Sequence, residues 1–170
     1  VSRGAKVVLL ETLPRVLARV SAPEMSSFYE RAHRDAGVDI RTGTGVIGFE
    51  FTDTADAIVG VRCADGSLLP ADVVIVGIGI VPNTELATAA GLAVNDGIVV
   101  DEYARTSDPS IVAAGDCTNH PNALWGRRVR LESVPNAVDQ ARVAAATLAG
   151  KPRVYDSVPW FWSDQYDLKL

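Results

Sequence analysis

The chain has 170 residues, 48% of them hydrophobic and 22% charged, with a net charge of −5. This is ample for one buried core and too short for two generous domains, and the balance is globular rather than disordered. The acidity and the lack of a dense basic run point away from nucleic acid, no apolar stretch nears the ~20 residues of a membrane helix, and no signal-peptide pattern is present.

Two cysteines, Cys63 and Cys117, stand far apart, with no CxxC pattern. That removes dithiol redox chemistry and zinc knuckles, and it fits a reducing, cytoplasmic compartment. The opening at Val1 rather than Met and the close on Asp167-Leu-Lys-Leu170 read as two cut ends of a longer chain.

In chain order, Lys6–Leu10 reads as a short buried parallel strand. Ser21-Ala-Pro-Glu24 has the form of a capping box, and Met25, Phe28, Tyr29, Ala32 and Ala36 follow at helical spacing up to Gly37. Val38–Arg41 is a second strand, completing a strand–helix–strand unit. Val46–Phe51, Ile58–Cys63 and Leu68–Pro70 read as an antiparallel meander, with Asp65-Gly66 as a hairpin turn. Val73–Ile78 has the pattern of a fully buried strand. A short alanine-rich helix from Thr84, a turn at Asn95-Asp-Gly97 and a strand Ile98–Val100 come next. Ile111–Ala114 is a small-residue buried strand, followed by a polar loop through His120 and the Arg127, Arg128, Arg130 cluster. The last helix is capped by Ser133, with Pro135 in its first turn and Ala137, Val138, Ala141, Ala144, Ala145 and Leu148 on its inward face. The fold class is therefore α/β: partial doubly wound, three-layer nucleotide-binding domains with an antiparallel meander.

Four features carry chemistry. Gly77-Ile78-Gly79 follows a strand, but Pro82 stands where a GxGxxG fingerprint needs its third glycine, so a plain glycine turn competes with a cofactor contact. Glu11 ends the first strand. In a dinucleotide fold an acidic residue about 20 positions past the fingerprint binds the ribose hydroxyls, and counting back from Glu11 places that fingerprint ahead of Val1. A surface carboxylate in a strand-to-helix loop is the plainer reading. Thr106–Asp116 brings a glycine and then an aspartate to the carboxyl end of a strand, the edge where open α/β sheets bind ligands. Asp116 can accept a hydrogen bond from a polyol hydroxyl, or it can simply end a solvated turn. Glu132–Ala137 starts a helix, whose free N–H groups and dipole can stabilise negative charge on a reduced ring system, or merely be capped.

These segments resemble a known family. TSDPSIVAAGD at 106–116 looks like the second FAD fingerprint of flavoprotein pyridine-nucleotide reductases. With VVIVGIGIVPN before it, ESVPNAVDQA after it, VPWFWSDQYDLKL at the end and the stretch 11–44, it is most similar to NADH-dependent ferredoxin reductases of the putidaredoxin and rhodocoxin reductase type. The resemblance covers essentially the whole chain. It implies that residues 1–80 are the later part of an NAD-binding domain, 81–152 the second segment of an FAD-binding domain, and 153–170 the start of an interface domain. Both GxGxxG fingerprints and most of the interface domain then lie outside the sequence.

The cofactors implied are FAD and NAD(H), and the partner is a ferredoxin-type iron–sulfur protein, as in cytochrome P450 or dioxygenase systems. Asp116 would bind the FAD ribitol, and Val134 would approach the flavin pyrimidine edge by its backbone. Glu11 would hold the NADH ribose, and Gly77, Ile78 and Gly79 would line the nicotinamide side. Trp160 and Trp162 would lie near the flavin edge or pack between domains. Arg127, Arg128 and Arg130 would attract an acidic ferredoxin or form a solvated loop. No residue is assigned as catalytic acid, base or metal ligand, since the cofactor carries the chemistry. His33 and His120 read as surface residues. Two other readings stay open: rubredoxin or another acceptor in place of ferredoxin, and a cofactor-free interaction module or inactive remnant.

Overall fold

The computed structural model describes residues 4–170, and the chain divides into two units between Gly77 and Ile78. The first unit opens with β1 (Val8–Glu11), α1 (Pro23–Asp35) and β2 (Asp39–Thr42). The two strands pair in parallel with Leu9 opposite Ile40, which requires a crossover, and α1 supplies it. Tyr29 of α1, Val38 and Ile40 are buried here. Pro23 opens the helix as expected, but the capping box does not form, because Ala22 occupies the N-cap. The Ser21 hydroxyl donates instead to the Leu17 carbonyl at 3.1 Å, a local bond that competes with capping.

The meander is present as expected. β3 (Val46–Phe51), β4 (Ile58–Cys63) and β5 (Leu68–Pro70) pair antiparallel in that order. In the last turn the Asp65 carboxylate accepts the Ser67 N–H at 2.9 Å and its hydroxyl at 2.7 Å. The next expectation fails. Residues 73–78 form no strand, and Val73 and Ile75 are 78% and 92% exposed. An apolar run becomes a strand only when neighbours accept its backbone hydrogen bonds, and no described residue pairs with this one.

The second unit contains α2 (Glu85–Ala89), β6 (Ile98–Val99), β7 (Thr118–Asn122), β8 (Arg127–Val129), α3 (Val134–Leu148) and the small hairpin β9 (Asp164–Gln165) and β10 (Leu168–Lys169). β7 is central, parallel to β6 and antiparallel to β8. The strand expected at Ile111–Ala114 is reduced to one antiparallel bridge between Arg105 and Val112, made by the Ala113 N–H donating to the Ala104 carbonyl and the Thr106 N–H to the Ile111 carbonyl. The polar loop expected around His120 is the β7–β8 hairpin. Its polar side chains disguise it: Thr118, Asn119, His120 and Asn122 are all buried, so His120 is not a surface residue.

Ser133 caps α3, accepting the Asn136 N–H at 3.3 Å. The face of α3 that packs inward is not the expected one. Asn136, Gln140, Val143 and Ala144 are buried, while Val138, Ala141, Ala145 and Leu148 are exposed. Hydrogen bonds from the inward polar side chains hold the helix against β7, leaving most of the alanine stripe outward. Val143 and Ala144 join Ala104 and Tyr155 in the core, with Val112 and Ala114 packed against them. No described helix is long and apolar enough to cross a membrane.

Candidate functional site

Of the sequence-predicted residues, the structure brings Asp116, Arg130 and the start of α3 together. Gly115 is buried with φ +89°, a conformation that favours glycine, and a β-carbon there would stand 3.6 Å from that of Ala137 on α3. A side chain at this position would therefore meet α3 at ordinary van der Waals distance. The Gly115 N–H donates to Gln140 Oε1 at 2.7 Å. Next to it, the Asp116 side chain is exposed.

Arg130 ties this turn to its surroundings. Its Nε donates to Asp96 at 3.0 Å, and its Nη1 to Glu132 at 2.8 Å and to the Asp116 carbonyl at 3.4 Å. Burial opposes its charge, but the bonds to Asp96 and Glu132 outweigh that and raise its pKa. The Asn95–Gly97 turn fits against the same place because Gly97 has no side chain: a β-carbon would lie 2.8 Å from the Cys117 carbonyl oxygen.

The first turn of α3 presents one open donor. Pro135 has no N–H. Ser133 accepts the N–H of Asn136 through its hydroxyl and that of Ala137 through its carbonyl. Val134 is exposed, and no described residue accepts its N–H. The helix dipole adds partial positive charge at this end.

Behind the turn lies a polar core that sequence reasoning missed. Gln140 Oε1 accepts the Thr118 hydroxyl at 2.7 Å as well as the Gly115 N–H, and Gln140 Nε2 lies 2.8 Å from His120 Nδ1. Tyr155 Oη donates to Asn136 Oδ1 at 2.9 Å, and its ring meets His120 edge to face at 5.0 Å. Burial, aided by the Arg128 guanidinium, lowers the His120 pKa to about 4. A signal was available: Asn136 and Gln140 are two amides one turn apart in an alanine-rich helix.

The remaining predicted residues are dispersed. Glu11 is half-buried at the end of β1, and its Oε1 accepts the Leu13 N–H at 2.8 Å. Gly77, Ile78 and Gly79 are exposed. Trp160 and Trp162 are exposed and face each other at 5.6 Å. Arg128 is spent internally, donating to both the side chain and the carbonyl of Asn119 and to the Val100 carbonyl. Arg127 is exposed, 5.9 Å above the Trp125 ring. No cluster able to hold a metal occurs among the described residues.

Residues 1–141 match the family described as pyridine nucleotide-disulphide oxidoreductase. The chain belongs to that family. It is 57% identical over 164 residues to putidaredoxin reductase CamA of Pseudomonas putida, covering 96% of this chain and 39% of that protein. Rhodocoxin reductase of Rhodococcus erythropolis is 49% identical over 168 residues, with 99% and 39% covered. Among solved structures, the ferredoxin reductase for the CYP199A2 system from Rhodopseudomonas palustris superposes with a TM-score of 0.93 at 45% identity, covering 99% of this chain and 41% of that one. The covalent putidaredoxin reductase–putidaredoxin complex gives 0.88 at 57% identity, with 95% and 39% covered. This pyridine nucleotide-disulphide oxidoreductase chain thus spans about two fifths of the length of the relatives it matches.

Proposed function

We propose that the full-length protein containing this chain is an FAD-dependent NADH:ferredoxin reductase. In this reading residues 1–80 belong to the NAD-binding domain, 81–152 to the second segment of the FAD-binding domain and 153–170 to the start of the interface domain. Both nucleotide domains are of the doubly wound three-layer type. The observation that carries it is the meeting of the Gly115–Asp116 turn with the first turn of α3. Support comes from relatives named as reductases of ferredoxin-type proteins, one solved in a covalent complex with putidaredoxin.

The residues fit FAD. Gly115, at φ +89°, lets the turn place Asp116 beside the start of α3; Asp116 offers an exposed carboxylate to a polyol hydroxyl; and the Val134 N–H is an unused donor at the positive end of a helix. When bound, FAD supplies the redox chemistry, accepting a hydride from NADH and passing single electrons on. The chain's own tasks are binding and orientation. Asp116 holds the ribitol, the Val134 N–H and the α3 dipole favour negative charge at the pyrimidine edge, and Arg130 fixes the turn relative to the helix. Glu11 binds the NADH ribose, Gly77, Ile78 and Gly79 line the nicotinamide side, and Trp160 and Trp162 stand near the electron exit.

The test is the full-length protein with Asp116→Ala. The parent is expected to show a flavin spectrum and to reduce an iron–sulfur ferredoxin with NADH. The variant loses a charge-assisted hydrogen bond, and its FAD Kd rises on the order of tenfold to a hundredfold. A flavin-free parent, or unchanged FAD affinity in the variant, overturns the assignment.

A further inference from the structure

The Gly115–Asp116 turn needs something to hold it, and the holding group is a single amide. A backbone N–H can only donate, so the Gln140 atom 2.7 Å from the Gly115 nitrogen is its oxygen. The Thr118 hydroxyl lies 2.7 Å from the same oxygen. The Gln140 NH2 group must then face His120, 2.8 Å away at Nδ1. That nitrogen has to accept, so the ring is neutral and its proton sits on Nε2. Nε2 is buried and has no hydrogen-bond partner among the described residues. All three members are closed off from water: Thr118 is fully buried, and His120 and Gln140 are 1% exposed.

The chain of donors and acceptors runs in one direction only. If Nδ1 carried a proton, two donors would face each other at His120. Rotating the Gln140 amide would move the clash to Gly115, where N–H would meet NH2. Neither arrangement keeps the Gly115 bond and the His120 bond together.

We infer that Gln140 is the positioning residue for the flavin-binding turn, and that neutral His120 orients the Gln140 amide so that it accepts from Gly115. This rests on the proposed role of Asp116. Gln140 itself touches no cofactor; it acts through the backbone of Gly115.

The experiment compares Gln140→Leu, Gln140→Glu and Asp116→Ala in the full-length protein. It measures the FAD Kd, and the protonation of His120 by 15N NMR of the ring at pH 7. Gln140→Leu removes the acceptor, and its FAD Kd is expected to rise on the order of tenfold. Gln140→Glu restores an acceptor for Gly115 but has no N–H for His120, so the proton between the two comes from His120 Nδ1 or from the carboxyl itself. Its FAD Kd should stay within about threefold of the parent, and in the parent His120 should carry its proton on Nε2 alone. Unchanged affinity in a folded Gln140→Leu protein overturns the inference. So does a Gln140→Glu protein that loses FAD, or a parent in which His120 is protonated at Nδ1, and these two results decide if Gln140→Leu does not fold. If Asp116→Ala leaves the FAD Kd unchanged, the underlying assignment of the turn has failed instead.

Discussion

Tyr155 Oη donates to Asn136 Oδ1 at 2.9 Å, joining the segment after α3 to the first turn of that helix. Both residues are buried, and the Asn136 amide nitrogen is already engaged with the Leu131 carbonyl at 3.0 Å. The asparagine oxygen has no water to turn to if the phenol is removed. Tyr155→Phe should therefore destabilise the fold by about 1–3 kcal/mol, the usual cost of stranding a buried acceptor. Chemical unfolding followed by circular dichroism measures it. A midpoint equal to the parent's would show that this bond contributes nothing.

His120 makes stability depend on acid. Its folded pKa, about 4, lies below the ordinary imidazole value of 6.5, because burial disfavours the cation and the Arg128 guanidinium repels it. The Thr118 backbone favours the cation but does not offset these two effects, and the Tyr155 ring and the Gln140 amide supply no negative charge. The unfolded chain thus takes up the proton first as pH falls. Stability is full above about 6.5 and drains away towards 4, by on the order of 3 kcal/mol from this group. Unfolding free energies from pH 8 to 4 should show this loss in the parent and a shallower one in His120→Asn. Parallel curves would remove His120 as the source.

The parts of the fold legible in the sequence are those whose signals are local. The meander strands coincide with their expected ranges because short strand-like runs flank the local turn signal Asp65-Gly66. The parallel β1–β2 pair was readable from Gly37 and the helical spacing before it. Residues 73–78 and 111–114 were misread because strand character also depends on partners outside the segment. His120 was misread because a polar side chain looks like surface until Gln140, 20 residues away, is known to meet it. Asp116 was singled out from its position after a small-residue run, and the Gly115–Gln140 hydrogen bond ties that turn to α3.

Cofactor preference should follow from Glu11 and Arg15. Glu11 Oε1 is used by the Leu13 N–H and the Thr12 hydroxyl, leaving Oε2 to meet a ribose. Arg15, the first basic residue after it, is turned inward: its guanidinium donates to the Ser21 carbonyl at 2.8 Å, Ser26 Oγ at 2.6 Å and the Ala18 carbonyl at 3.0 Å. A carboxylate with no free guanidinium beside it favours ribose hydroxyls over a 2′-phosphate. The full-length protein should prefer NADH to NADPH, and Glu11→Ala should lower kcat/KM for NADH on the order of tenfold while narrowing the preference. Steady-state kinetics with both nucleotides test this, and equal use of NADPH by the parent would remove the assignment of Glu11.

The three arginines near β8 should not contribute equally to a protein partner. Arg130 is clamped by Asp96 and Glu132, and Arg128 by Asn119 and Val100. Their positive charge is committed to the fold, so replacing either would disturb the hairpin and confuse a docking measurement. Arg127 is exposed beside Trp125 and has no carboxylate within ion-pair distance among the described residues. It is the member of the cluster free to steer an acidic ferredoxin. Reversing its charge with Arg127→Glu should slow ferredoxin reduction at low ionic strength by roughly tenfold, with the difference closing as salt screens the encounter. NADH-dependent reduction of ferricyanide, which needs no docked protein, is the reference for an intact flavin site. If ferredoxin reduction by the variant matches the parent at every ionic strength, this face is not where the partner approaches.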